Sequence, residues 1–338
     1  MSKKLLLGDE AIAQAALDAG ISGVYAYPGT PSTEITEYIQ RHPLSQQRNI
    51  HSRWCTNEKT AMEAALGLSF IGKRSIVCMK HVGLNVAADC FINAGITGVH
   101  GGLVVISADD PSMHSSQNEQ DSRFYGDFTL IPILEPSNQQ EAYDMTYYGL
   151  QLSEQMGVPV LLRVVTRLAH SRSGVIPKEV LKENEISYSQ DPKQFILLPG
   201  IARKRYKVLI DKQKQFEENA ENSRFNTYVD GTNKKKGIVA CGIAYNYLME
   251  HYPNGSEHPI VKVGQYPLPE KQIMKLINEC EEIIVMEDGQ PFVEKQLKGL
   301  LGLGVKIKGR LDGTLPRIGE LNPDNVGEAL GIKTKQPH

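Results

Sequence analysis

The feature that most narrows the fold is a set of short runs that are apolar nearly from end to end: Gly23-Val24-Tyr25-Ala26-Tyr27, Ser75-Ile76-Val77-Cys78-Met79, Leu103-Val104-Val105-Ile106-Ser107 and Pro159-Val160-Leu161-Leu162-Arg163-Val164-Val165. A strand with one wet face would alternate apolar and polar residues, and these do not. They read as strands covered on both faces. Helical stretches separate them: an alanine-rich one opened by Asp9-Glu10 and ended by Gly20, one from Pro31 or Ser32, one over residues 58–67, one over about 84–94 and a long one over 139–156. A further strand-like run, Ile50-His51-Ser52-Arg53-Trp54, precedes the third of these helices. Alternation of this kind specifies an α/β fold built on a parallel sheet.

The chain has 338 residues, enough for about two domains with real cores. The character changes between residues 191 and 236, with Pro199-Gly200, a charged helical run over 202–221 and the cluster Lys234-Lys235-Lys236, whose charges read as a solvated face. A second, smaller α/β unit begins at Gly237-Ile238-Val239-Ala240-Cys241, with strands expected near 260–263, 283–286 and 305–308. The expected division is therefore 1–190, a connector over 191–236, and 237–332, followed by a frayed basic tail over 333–338. A net charge of −2 offers no footprint for nucleic acid or anionic lipid, which leaves small molecules and proteins as partners. Cys55, Cys78, Cys90, Cys241 and Cys280 are widely spaced with no C-x-x-C pair, arguing against zinc, an iron–sulfur cluster or a disulfide framework in this chain. The three leucines after Lys3-Lys4 are too few for a signal peptide or a membrane span, so a reducing, cytoplasmic setting is expected.

In open parallel sheets ligands bind beyond the carboxyl ends of the strands, so the segments that follow the strands are where chemistry is expected. Four are unusual. Tyr27-Pro28-Gly29-Thr30-Pro31-Ser32-Thr33-Glu34 is a stiffened turn that presents hydroxyls and N–H groups at a helix start, a place suited to an anion; the plain alternative is a Pro-Gly turn with an ordinary cap. Trp54-Cys55-Thr56-Asn57-Glu58 puts a carboxylate in the first turn of a helix whose other face, Ala61, Ala65 and Gly67, is small. Glu58 there either complements the helix dipole or does chemistry. Met79-Lys80-His81-Val82-Gly83-Leu84-Asn85 places a histidine and an asparagine at a strand-to-helix turn, as pocket residues or as satisfied surface groups. The densest polar run follows the fourth strand, 108–121, where Asp109, Asp110, His114, Glu119 and Asp121 could hold a hard metal although no ligand spacing is matched. Glu63 is the rival carboxylate on the same helix. Cys55 is a nucleophile candidate near a helix start or simply a structural thiol.

The segments YPGTPSTEI, NEKTAMEAALG, MKHVGLNVAAD, ADDPSMHSSQNEQD and LLRVVTRLAHSR resemble those of the alpha subunit of indolepyruvate ferredoxin oxidoreductase, a thiamine diphosphate-dependent 2-oxoacid:ferredoxin oxidoreductase. The resemblance is continuous through about the first 175 residues and looser in the second unit, at GIVACGIAYNYL and IVMEDGQPFVEKQL. It implies a pyrimidine-binding thiamine-enzyme domain followed by a smaller transketolase C-terminal-like domain. It also implies oxidative decarboxylation of a 2-oxoacid, an aryl pyruvate such as indolepyruvate, to the acyl-CoA, with coenzyme A as co-substrate and ferredoxin as partner. Glu58 matches the activating glutamate, which calls for a dry carboxyl with a raised pKa, so that burial must outweigh the helix N-terminus. Thr30, Pro31 and Asn85 fall where cofactor contacts are implied, and Thr30, Ser32, His81, His114 and Asn118 where the substrate pocket is implied.

Long alpha subunits continue into a diphosphate-binding domain and a ferredoxin-like domain, and neither is expected in this chain. No Gly-Asp-Gly followed by Asn at the usual spacing is present to hold magnesium and diphosphate, since Asp288-Gly289 and Asp230-Gly231 lack that context. Half an active site is implied: a diphosphate-binding, iron–sulfur-carrying subunit and a gamma- or beta-type subunit would complete a hetero-oligomer. The alternatives are a non-catalytic scaffold or regulatory paralogue acting through association, and an unrelated metal enzyme using the 108–121 loop.

Overall fold

In chain order the strands of the computed structural model, which describes residues 2–191, 193–252, 254–299 and 313–314, are β1 (Lys4–Leu7), β2 (Gly23–Ala26), β3 (His51–Trp54), β4 (Ser75–Lys80), β5 (Leu103–Asp109), β6 (Ile133–Leu134), β7 (Val160–Val165), β8 (Arg172–Val175), β9 (Thr227–Val229), β10 (Lys236–Cys241), β11 (Ile260–Val263), β12 (Gln265–Tyr266) and β13 (Glu282–Met286). Seven of them form one sheet in the order β12-β6-β7-β5-β4-β2-β3, parallel throughout except where β12 runs against β6. Ile76, Val77, Val104, Val105, Leu161 and Leu162 have no accessible surface, as runs apolar on both faces require. The expected strands at 23, 75, 103 and 159 are the spine of this sheet.

Helices cover both faces. Gly8–Asp18 packs on Gln139–Met156 and on Thr33–Arg41, and Glu58–Phe70 packs on His81–Thr97. Ala11, Ala15, Ala61 and Ala65 are fully buried at these contacts, so the small residues let the helices close on their neighbours. The long helix is capped by the Asn138 side chain, which accepts from the Glu141 N–H, and is closed by Gly157 in the left-handed region at φ +63°.

A second sheet, β13-β10-β11-β9, is parallel apart from the antiparallel edge strand β9. Two features depart from the expected division. β9 lies inside the stretch read as a connector, and β12, from the second half of the sequence, adds to the edge of the first sheet. The charged run over 202–221 is two helices, Pro199–Asp211 and Gln213–Glu221, which bury Leu209, Phe216 and Ala220 and are therefore packed elements. β1 and β8 form a separate antiparallel pair. Residues Met1–Phe292 form one compact unit and Val293–His338 another; in the latter Lys298 pairs with Glu294. The strand expected near 305–308 and the tail lie outside the described residues. Among the described residues no helix is long and apolar enough to cross a membrane.

Candidate active site

The sheet order β5-β4-β2-β3 sets four parallel strand ends side by side, so the four polar segments singled out in the sequence leave the sheet along a single edge. Hydrogen bonds then tie them together. The Ser115 hydroxyl donates to the Thr30 carbonyl at 3.3 Å, the Lys80 ammonium to the Ser115 carbonyl at 2.7 Å, and His81 Nε2 lies 3.2 Å from the Asn118 carbonyl. The polar loop after β5 thus folds across the ends of β2 and β4.

Glu58 is the first residue of its helix, behind Asn57, whose Oδ1 accepts from the Thr60 N–H at 2.9 Å. Its side chain is half-buried and lies against the first turn of the His81–Thr97 helix. A Cβ on Gly83 would come within 2.4 Å of Glu58 Oε1. Glycine at 83 is what lets the carboxylate lie on that turn. Among the described residues the Glu58 carboxylate has no hydrogen-bond or ion-pair partner. Within this chain it is half-buried, and the dry carboxyl that the resemblance implied is not observed. Glu63, on the same helix, is exposed and meets Cys90 Sγ at 3.4 Å. Burial pushes the Cys55 thiol up, which works against a nucleophilic thiolate.

His81 is buried at 1 % exposure. A carbonyl only accepts, so the contact with Asn118 calls for a proton on Nε2. The Nδ1 is itself buried and has no partner. Asn85, one turn on and exposed, accepts from the Tyr125 hydroxyl at 2.6 Å. Tyr125 and Gly83 are site residues the sequence reading missed. Gly83 stood within a quoted segment, but its contact with Glu58 is tertiary.

In the turn, Thr30 is exposed and follows Gly29, while Pro31 is buried. Ser32 is 1 % exposed and its hydroxyl donates to the Gly29 carbonyl at 2.8 Å, so it shapes the turn and has no free face for a substrate. His114 and Asn118 are exposed, and Asn118 contributes its backbone carbonyl to His81. Glu58, His81, Asn85 and Thr30 are thus gathered along one edge, whereas Ser32 turns inward.

The acidic residues at the two ends of the loop have another role. Arg163, on β7, reaches Asp109 at 2.6 Å, Glu135 at 2.5 Å and the Asp288 carbonyl at 2.7 Å. Arg123 chelates Asp121, bonds Glu287 at 2.9 Å and donates to the Gln290 carbonyl at 3.0 Å. Tyr266 on β12 donates to Glu135 at 2.6 Å. Both guanidinium groups are fully buried. Burial drives the Asp109 carboxyl up in spite of Arg163, whereas Arg163 and Arg123 together overcome burial and pull Asp121 down. For Asp110 burial opposes ionisation, but hydrogen bonds from the Ser116 hydroxyl, the Ser115 N–H and the Thr166 hydroxyl outweigh it and bring the group down to about 2. Glu119 accepts from the Ser112 N–H. These carboxylates are consumed by arginines, hydroxyls and amides, which removes the basis for a metal site in the loop. Of the Asp-Gly pairs, Asp288 gives its backbone carbonyl to Arg163, and the Asp230 carboxylate accepts from the Gly231 N–H and from the Lys234 ammonium.

Residues 14–228 match the family described as pyruvate flavodoxin/ferredoxin oxidoreductase, thiamine diP-bdg. The chain is similar to the indolepyruvate oxidoreductase subunit IorA of Archaeoglobus fulgidus, at 40 % identity over 99 % of this chain and 55 % of that protein. With the subunit of the same name from Methanothermobacter thermautotrophicus the identity is 38 %, over the same shares. The chain therefore spans about half the length of these curated relatives. Among solved structures it is similar in fold to the 2-oxoglutarate:ferredoxin oxidoreductase of Magnetococcus marinus with 2-oxoglutarate, coenzyme A and succinyl-CoA bound, with a TM-score of 0.71 at 16 % identity over 88 % of this chain and 60 % of that one. A split-gene transketolase aligns at TM-score 0.53 and 12 % identity, over 87 % and 85 % of the two chains.

Proposed function

Because the chain belongs to the thiamine diphosphate-binding family of pyruvate flavodoxin/ferredoxin oxidoreductases, we propose that it is the pyrimidine-binding part of a 2-oxoacid:ferredoxin oxidoreductase, in which Glu58 activates the cofactor. The observation that carries this is the Glu58 carboxylate, unpaired and lying on the turn that Gly83 keeps open. Thiamine diphosphate supplies the carbon nucleophile that 2-oxoacid decarboxylation needs, once its pyrimidine ring nitrogen is held protonated. An acidic side chain at a strand-end edge, free of protein partners, is the group to hold that proton. His81 would offer its unpartnered Nδ1, and Asn85 and Thr30 polar contacts at the rim.

The proposed substrate is an aryl pyruvate of the indolepyruvate type, a reading supported by the names of the relatives. Its proposed conversion to the acyl-CoA with ferredoxin receiving the electrons is supported by the family's description and by the coenzyme A bound to the 2-oxoglutarate enzyme. Among the described residues the carboxylates after β5 and that of Asp230 already have partners within the chain, which argues against magnesium and diphosphate being held there. We therefore assign the diphosphate end and the iron–sulfur clusters to a partner subunit of a hetero-oligomer, beside a gamma- or beta-type subunit. Tyr27, Val86 and Phe128, on the segments that border the site, are large and exposed, as a surface awaiting cover would be. The division into 1–190, 191–236 and 237–332 is kept within this proposal, with β12 and β9 as the points where the halves interlock.

The test is reconstitution. The chain is combined with the subunits that co-purify with it, and 2-oxoacid-dependent ferredoxin reduction is followed with and without thiamine diphosphate and coenzyme A. Cofactor-dependent turnover with aryl pyruvates supports the proposal. Stoichiometric association without thiamine diphosphate binding in any mixture would establish the scaffold reading instead.

A further inference from the structure

Next to the Pro28–Ser32 turn, a second group of polar side chains has no role in the reading above. Asp9 lies in the first turn of the Gly8–Asp18 helix, Glu34 in the first turn of the Thr33–Arg41 helix, and His170 just beyond the short Thr166–Ala169 helix. One donor atom from each lies within 4.8 Å of the other two, and His170 Nε2 is 3.7 Å from Glu34 Oε2, beyond hydrogen-bond reach. Asp9 is fully buried, yet neither of its carboxylate oxygens has a hydrogen-bond partner, and Glu34 Oε2 is likewise buried and unpartnered.

An ionised carboxylate with both oxygens buried and unpaired is an arrangement that folded proteins avoid. Complementing a helix dipole accounts for an exposed acid at this position, not for a fully buried one beside a second carboxylate. We propose that Asp9, Glu34 and His170 form a binding site for one divalent first-row transition ion of the zinc or manganese class. Two carboxylate oxygens and one imidazole nitrogen are a mixed donor set, which suits such ions better than the all-oxygen sites of calcium or magnesium. With metal–ligand bonds of about 2.1 Å, donors sit about 3.0–3.4 Å apart, so spacings of up to 4.8 Å would contract by as much as about 1.4–1.8 Å on binding. Glu34 also lines an open groove of about 350 Å³, together with Glu10, Glu37, Arg41 and His42.

The consequence is positional. The Gly8 N–H donates to the Ser171 carbonyl at 3.2 Å, so the start of the first helix already abuts the His170 segment. A metal would add Glu34 to that junction and anchor the helix that emerges from the turn carrying Thr30 and Pro31. The ion is thus a structural clamp beside the turn, and its presence does not depend on thiamine diphosphate chemistry.

The experiment uses the full chain, stripped with a chelator and titrated with Zn²⁺ and, separately, Mn²⁺ by calorimetry, with bound metal measured by elemental analysis and thermal unfolding followed in parallel. His170→Ala is the main variant, because this half-exposed residue can be removed without touching the core, and Asp9→Asn is the second. The wild type is expected to bind about one ion per chain and to unfold at higher temperature with it. His170→Ala should lose on the order of 100-fold in affinity, together with that shift. Equal binding by wild type and His170→Ala, or no stoichiometric binding by the wild type, overturns the proposal. So does an Asp9→Asn chain more stable than a metal-free wild type that zinc and manganese leave unchanged, since Asp9 would then simply share a proton with Glu34.

Discussion

The polar groups around Arg163 lie on the β6-β7-β5 side of the first sheet and those around Glu58 on the β4-β2-β3 side, and the two have opposite hydrogen-bond balances. Asp109, Asp121, Glu135, Arg123 and Arg163 are buried together, and each carboxylate meets a guanidinium. They join β5, β6 and β7 of the first sheet to Tyr266 and to the 287–290 segment that follows β13. Glycine 242, at φ +47°, lies so close that a Cβ there would come within 2.6 Å of Glu135. Around Glu58 the carboxylate is unpaired, His81 keeps an unused nitrogen, and the surface is half-open. Polar density in the sequence pointed at the first region. Unsatisfied polar atoms in the structure point to the second, because groups consumed by the fold have nothing left to offer a ligand.

If that contrast is right, substitutions in the two regions should separate stability from activity. Arg163→Met leaves Asp109 and Glu135 buried without their cation and should destabilise the chain by about 3–5 kcal/mol, read as a lower urea midpoint. An unchanged midpoint would mean that the network does not join the sheets. Gly83→Ala should do the reverse. Alanine favours the helix by up to about 1 kcal/mol, while its Cβ needs the place of the Glu58 carboxylate, so turnover of the assembled enzyme should fall about tenfold or more with the fold intact.

Smaller effects refine the line between the regions. Asp110 titrates at about 2 in the fold, below an unfolded value of about 3.9, so its contribution is complete above about pH 4 and is lost as pH falls toward 2. Asp110→Asn should therefore flatten the stability profile across that window in acid unfolding at fixed salt. Glu63→Gln, on the exposed side of the same helix, should leave turnover and stability nearly unchanged, within about 0.5 kcal/mol. A large loss of activity there would move the catalytic carboxylate away from Glu58.

Much of this was readable in advance, for a physical reason. Val104-Val105-Ile106 and Leu161-Leu162 have no wet face, so their burial is written in their composition, and the strand-end rule then picked out the segments of Glu58, His81 and Thr30, which the fold sets along one edge. What could not be read depends on distant partners. β12 is two residues long and pairs with β6 across more than a hundred residues of sequence, and β9 is a three-residue edge strand. That Asp109 and Asp121 belong to Arg163 and Arg123 is a tertiary fact, as is the contact between Glu58 and Gly83. Ser32 looked available because its hydroxyl is polar, and only the folded turn shows it donating to Gly29.

The decisive measurement is hydrogen–deuterium exchange at the thiazolium carbon of thiamine diphosphate in the assembled enzyme, comparing wild type with Glu58→Gln. Exchange reports activation of the cofactor without substrate, ferredoxin or coenzyme A. Since Glu58 is half-exposed and unpaired, the substitution should leave stability within about 0.5 kcal/mol. Exchange should slow on the order of 100-fold or more. Equal exchange rates in the two proteins, with thiamine diphosphate bound to both, would remove Glu58 from the chemistry.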